Sequence, residues 1–145
     1  MEVKLFLGVT PRAASRHRCG CRGKYPTAYN DPGYAQWLRD AIEYIRTKYK
    51  SPFPSDAPHE GDVWVGLEVI VKRPKKTVKR RPSGDRDNHE KGVFDAITQA
   101  GGYWKDDDQV VEGPFLKRWA LDDEPEGYRV TIRFRNVDKG LPDAA

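Results

Sequence analysis

Between Val63 and Lys72, the residues Val63, Val65, Leu67, Val69 and Val71 alternate with Trp64, Gly66, Glu68, Ile70 and Lys72. The two-residue period is that of a strand, and apolar side chains fall on both of its faces. A strand of that kind needs cover on both sides, which predicts a central position in a sheet. The chain is thereby limited to a layered architecture in which other elements pack on the sheet. The strand also leads straight into a strongly basic segment.

The remaining pattern supplies the other layers. Val3, Leu5 and Leu7 mark a first strand, and a loop is expected from Pro11 to Asn30. Asp31 offers an N-cap with Pro32 at the first helical position, and Tyr34, Trp37, Leu38, Ala41, Ile42, Ile45 and Tyr49 recur at helical spacing. The prolines of Ser51–Pro58 cannot extend that helix. Val93, Phe94, Ala96, Ile97 and Ala100 predict a second helix, ended by Gly101-Gly102. Strands are expected at Gln109–Val111, Phe115–Leu121 and Tyr128–Phe134. The expected fold is α/β, or α+β, as a single small domain over residues 1–137 with one mixed sheet and two main helices. Residues 138–145 are expected to be a flexible tail.

Composition narrows the setting. With 145 residues, 37% apolar and 33% charged, the chain has material for one modest core and is too polar for a membrane protein. No apolar run approaches the ~20 residues of a bilayer span, and Met1-Glu2-Val3-Lys4 lacks the apolar segment of a secretory signal. The two cysteines, Cys19 and Cys21, make no disulfide framework. A soluble, cytoplasmic protein is the expectation.

The net charge of +4 conceals a local separation of sign. Nine basic residues lie between Lys72 and Lys91, among them Lys75, Lys76, Lys79, Arg80 and Arg81. A second basic set, Arg12, Arg16, Arg18, Arg22 and Lys24, occupies the first loop. Either group alone is equally well read as a solvated loop; together they suggest a polyanion partner, because neutralised phosphates release counterions.

Acidic residues cluster instead at Asp106–Asp108 and from Asp122 to Glu126, and two aspartates stand near the end of the Lys72–Lys91 stretch. Asp85 and Asp87, two apart, present two carboxylates together if the chain is extended just before the second helix, and Asp106–Asp108 returns others from its far end. Hard oxygen donors of this kind suit Mg²⁺ or Mn²⁺ beside a phosphodiester. Each has a plainer reading as well. Asp87 with Glu90 fits a helix cap, Asp87 with Lys91 an i,i+4 ion pair, Asp85 a turn, and the triple aspartate a solvated turn. Asn88 and His89 read as local hydrogen-bonding or surface residues.

The ordered pattern is more specific than any of its parts. Asp85-x-Asp87-Asn88-x-x-Lys91-x-x-x-Asp95-Ala96-Ile97, then Ala100-Gly101, Tyr103-Trp104 and Asp106-Asp107-x-Gln109-Val110-Val111, resembles the RusA family of Holliday junction resolvases. The match covers roughly Arg81 to Glu112. His89 stands where that family usually has an apolar residue, and Gly101-Gly102 carries one residue more than usual before the aromatic pair.

The resemblance implies a small dimeric, Mg²⁺-dependent endonuclease of phage or prophage type that nicks four-way DNA junctions symmetrically in a bacterial host cell. It implies that Asp85, Asp87 and Asp107 hold the metal, with Mn²⁺ as a substitute, and that Lys91 stabilises the charged transition state or leaving group. Paired cuts call for two sites and hence a C₂ homodimer. The alternatives are a less selective branched-DNA or flap nuclease, and a junction-binding protein that does not cut. His17-Arg18-Cys19-Gly20-Cys21 looks like part of a zinc site, but four protein ligands would have to come from two cysteines and the distant His17, His59 and His89. Reduced thiols in a flexible DNA-contacting loop are the expectation there.

Overall fold

A computed structural model of the chain describes residues 1–14, 18–22, 25–29 and 32–136, with 18–22 and 25–29 described as backbone. Its elements are β1 (Glu2–Leu7), β2 (Arg18–Arg22), β3 (Tyr25–Tyr29), α1 (Pro32–Lys48), β4 (Val63–Val71), α2 (Arg86–Ala100), β5 (Val110–Glu112), β6 (Phe115–Trp119) and β7 (Gly127–Phe134). The described residues form a mixed sheet of five strands, β1, β7, β4, β5 and β6, together with a separate β2–β3 hairpin. Two helices and this sheet make a small α+β domain.

β4 is central, as its two apolar faces require. It pairs antiparallel with β7 along one side, and parallel with both β5 and β6 along the other. Register places Leu5, Val130 and Leu67 side by side across three strands, with Val3, Ile132 and Val65 in the next row. These rows, with Leu7, Val69, Tyr128 and Phe134, form the buried face on which both helices lie. Removing such a side chain from water contributes about 1.5–3 kcal/mol, so the register is strongly specified. α1 buries Tyr34, Trp37, Ala41 and Ile45, at spacings of three and four. Pro32 begins it as expected.

Three expectations are corrected. The segment read as a loop from Pro11 to Asn30 contains the β2–β3 hairpin, in which Cys19 stands opposite Ala28 and Cys21 opposite Pro26. Its five-residue strands contain no Val, Ile or Leu, and Gly20 and Pro26 fall within them, so they carry little of the usual strand signal. The second helix begins at Arg86, so Asp87 is already in its first turn rather than in extended chain beside Asp85. Gln109 lies in a short 3-10 turn, Asp107–Gln109, that precedes β5. Residues 137–145, which include the expected tail, lie outside the described residues.

Candidate functional site

α2 organises the site. Asp85 is its N-cap residue, with φ −75° and ψ 153°, yet its carboxylate makes no capping hydrogen bond. Asp85 is exposed, so its carboxylate oxygens face solvent and not the helix amides. Asp87 follows in the first turn, and Lys91 and Asp95 stand one and two turns later on the same face. The expected Asp87–Lys91 pair is not what forms. Lys91 Nζ lies 3.2 Å from Asp95 Oδ2, and the same oxygen accepts the Tyr34 hydroxyl at 3.0 Å. Glu90 is taken by Arg86 at 2.7 Å, which leaves Asp87 without an ion pair among the described residues.

At the far end of α2, Gly101 caps the helix with φ 84°, its amide donating to the Ile97 carbonyl. The chain then turns through the buried Tyr103 and Trp104 to the 3-10 turn that starts with Asp107. The Asp107 carboxyl is held above its ordinary range, first by burial, then by a hydrogen bond with Asp106 and by repulsion from Asp95 and Asp106. Lys91 opposes these effects. Two carboxylates, Asp95 and Asp106, and one ammonium, Lys91, thus act on the Asp107 carboxyl.

The basic loop is tied down from β6. Lys117 Nζ donates to the Gly84 carbonyl at 2.6 Å, and Trp119 Nε1, two residues on along the same strand face, donates to the Lys79 carbonyl at 3.1 Å. Gly84 has φ +99°, and a side chain there would run into the His89 ring. His89 is 2% exposed, so it is a buried residue that hydrogen-bonds locally, and not a surface one. Its Nε2 faces the Ser83 carbonyl at 3.0 Å and so carries the proton, while Nδ1 has no partner among the described residues. Burial holds this imidazole below its ordinary range and hence neutral. Lys117 and His89 together fix the two residues that precede Asp85.

Both basic segments reach this end of α2. The Ala14 amide donates to the Asn88 carbonyl at 2.9 Å, and the Arg12 backbone exchanges hydrogen bonds with the buried Tyr128 hydroxyl at 2.7 and 3.2 Å. Arg12 is exposed, as are Lys75, Lys76, Lys79, Arg80 and Arg81. Lys79, Arg80, Arg81 and Lys117 line an open cleft of about 450 Å³ that adjoins Gly84. Arg16, His17 and Lys24 lie outside the described residues, as do the side chains of Arg18, Cys19, Cys21 and Arg22.

Among the described residues no group of three or more His, Cys, Asp or Glu side chains is assembled as a metal cage. Asp85 and Asp87 at the start of α2, and Asp107 in the turn that packs against this helix, nonetheless carry hard oxygens of the kind that Mg²⁺ takes. Mg²⁺ requires no all-protein cage, since it commonly takes one or two carboxylates and completes its shell with water and substrate phosphate. The chemistry of the donors therefore fits a divalent cation.

In the sequence Tyr34 is legible only as a core residue and Asp95 only as part of the family pattern, and Lys117 carries no sign of a role. The i,i+4 spacing of Lys91 and Asp95 was a usable signal; Lys117 had none, because its partner is a backbone carbonyl 33 residues away.

The family model described as endodeoxyribonuclease RusA matches residues 8–133 of the chain. No curated protein matches it. Among the described residues no helix is long and apolar enough to cross a membrane.

Proposed function

Because the chain belongs to the RusA endodeoxyribonuclease family, it is a hydrolase of DNA phosphodiester bonds with endonuclease activity on Holliday junctions, and we propose that it resolves them by Mg²⁺-dependent paired nicks from a C₂ homodimer. The setting we propose is the cytoplasm of a bacterial host cell, with a phage or prophage origin. What supports the metal-dependent reading is the placement of the carboxylates: Asp85 and Asp87 at the start of α2 with no capping hydrogen bond from Asp85, and Asp107 in the short turn that packs against the same helix.

In this reading Asp85, Asp87 and Asp107 hold the cation, with Mn²⁺ able to substitute. The bound ion would polarise the phosphoryl oxygen and lower the pKa of a water molecule. Lys91, steadied by Asp95 and through it by Tyr34, offers its ammonium to the charge that develops on the phosphate. Arg12, Arg16, Arg18, Arg22 and Lys24 on one side, and Lys75, Lys76, Lys79, Arg80 and Arg81 on the other, neutralise the backbone of the junction arms. Two-fold symmetry supplies one carboxylate set per cut strand.

The test is cleavage of a synthetic four-way junction beside linear duplex and flap substrates, with and without Mg²⁺. Cutting confined to the junction and dependent on the ion supports the proposal. Equal cutting of all three substrates would remove the resolvase reading, equal cutting of junction and flap alone would leave a less selective branched-DNA nuclease, and tight binding without cutting would leave a junction binder.

A further inference from the structure

The Gln109 side chain makes four hydrogen bonds to main-chain groups, and they come from two different segments. Its Oε1 accepts the amides of Lys105 at 2.8 Å and Asp106 at 2.9 Å. Its Nε2 donates to the carbonyls of His59 at 2.8 Å and Gly61 at 2.9 Å. A primary amide has two acceptor sites and two donor hydrogens, so every one is used. The orientation is unambiguous, because two N–H groups face the oxygen and two carbonyls face the nitrogen.

These bonds converge on Asp107. Asp106 is the N-cap of the 3-10 turn and Gln109 its last residue, so Asp107 lies between two points that the one amide holds. The segment on the other side is anchored as well. His59 donates its backbone N–H to the Tyr103 carbonyl at 3.3 Å and bridges Trp104, and β4 starts two residues beyond Gly61. The position of Asp107 is thereby referred to the central strand of the sheet and not only to its own surface turn.

We infer that Gln109 is a positioning residue, which sets the placement of the Asp107 carboxylate for a divalent cation through its four main-chain hydrogen bonds. The inference rests on the proposed role of Asp107 as a ligand. A purely structural staple predicts lost stability alone. A positioning role predicts that ion binding and turnover suffer in protein that remains folded. Removing an outer group that orients a metal ligand typically costs about 10–100-fold in affinity or activity.

The experiment compares wild type with Gln109→Glu, Gln109→Met and Asp107→Asn. Glutamate keeps the acceptor for the two amides and has no N–H for His59 and Gly61; methionine keeps the length and makes none of the bonds. Mn²⁺ binding to the free protein is followed by electron paramagnetic resonance. Junction affinity without divalent ions and the Mg²⁺ dependence of single-turnover cleavage are measured in parallel.

The expected result is Mn²⁺ binding weakened and cleavage slowed by about 10–100-fold in both Gln109 variants, with metal-free junction affinity retained. Wild-type Mn²⁺ binding and cleavage in folded Gln109 variants would overturn the inference. If neither variant folds, amide exchange in the wild type decides. Protection of the Lys105 and Asp106 amides that rises with Mg²⁺ supports the inference, and protection indifferent to Mg²⁺ overturns it. Asp107→Asn separates the two levels, because unimpaired Mn²⁺ binding and cleavage in that variant would remove the role of Asp107 and the inference with it.

Discussion

The Lys91 ammonium pairs with Asp95, one turn further along α2, at 3.2 Å, and Asp87, one turn before it, has no ion pair among the described residues. Lys91 is consequently steadied by a residue outside the proposed ligand set, which keeps its charge near Asp107 without occupying Asp87. Lys91→Ala should lower the single-turnover rate about 100-fold, the scale of losing one charge-stabilising donor, and change junction affinity little. An unchanged rate would reduce Lys91 to a surface ion pair with Asp95.

Asp85→Asn, Asp87→Asn and Asp107→Asn should each abolish cleavage while junction binding is retained or tightened. Each substitution removes a ligand for the cation and a negative charge close to DNA. Gel-shift titration beside cleavage assays checks both halves. Activity in Asp107→Asn, with loss in Asp106→Asn or Asp108→Asn, would move the ligand by one residue within the acidic run.

Reversing charge at Lys75, Lys76 and Arg80 should weaken junction binding and flatten its salt dependence. Each phosphate that is no longer neutralised lowers the log–log salt slope by about 0.9 on duplex DNA. Affinity measured over a salt series reads the number of neutralised phosphates directly, and an unaltered slope would mean that this loop touches no phosphate.

Lys117→Met removes the 2.6 Å hydrogen bond to the Gly84 carbonyl while keeping most of the side chain's apolar length. Amide exchange should accelerate across residues 79–85, and cleavage should fall by about 10-fold or more, as for other residues that orient a ligand from behind. Lys117→Arg, which retains a donor, should recover much of the activity. Exchange and cleavage at wild-type levels in Lys117→Met would show that Trp119 and His89 hold the loop without it.

His89 gives the fold an acid-sensitive point. Its pKa lies below the ordinary 6.5 because burial disfavours the imidazolium, so between the folded value and 6.5 the unfolded chain binds more protons. The contribution of this residue to stability is therefore complete above about pH 6.5 and is lost as the pH falls below it. His89→Gln, which keeps an N–H for the Ser83 carbonyl, should flatten the decline in melting temperature between about pH 7 and 5. A decline equal to that of the wild type would assign it to other groups.

Periodicity made most of the architecture legible: the alternation of Val63–Val71 demanded a central strand, and Tyr34, Trp37, Ala41 and Ile45 demanded one buried helix face. Local spacing likewise brought out Asp85, Asp87 and the Asp106–Asp108 run, and the resemblance to the RusA family added Lys91 and singled out Asp107, because chemistry carried on one helix and one turn leaves its order in the chain. Long-range polar interactions left no such trace. Which carboxylate Lys91 meets depends on rotamers and on Tyr34 arriving from α1, and the grip of Lys117 on Gly84 and of Gln109 on His59 and Gly61 is made to backbone atoms that every residue possesses. A side chain that binds main chain across tens of residues imposes no pattern on its partner's sequence. Only the packed sheet, by bringing β6 beside the basic loop and residues 59–61 beside residues 105–109, decided how the acidic residues are held.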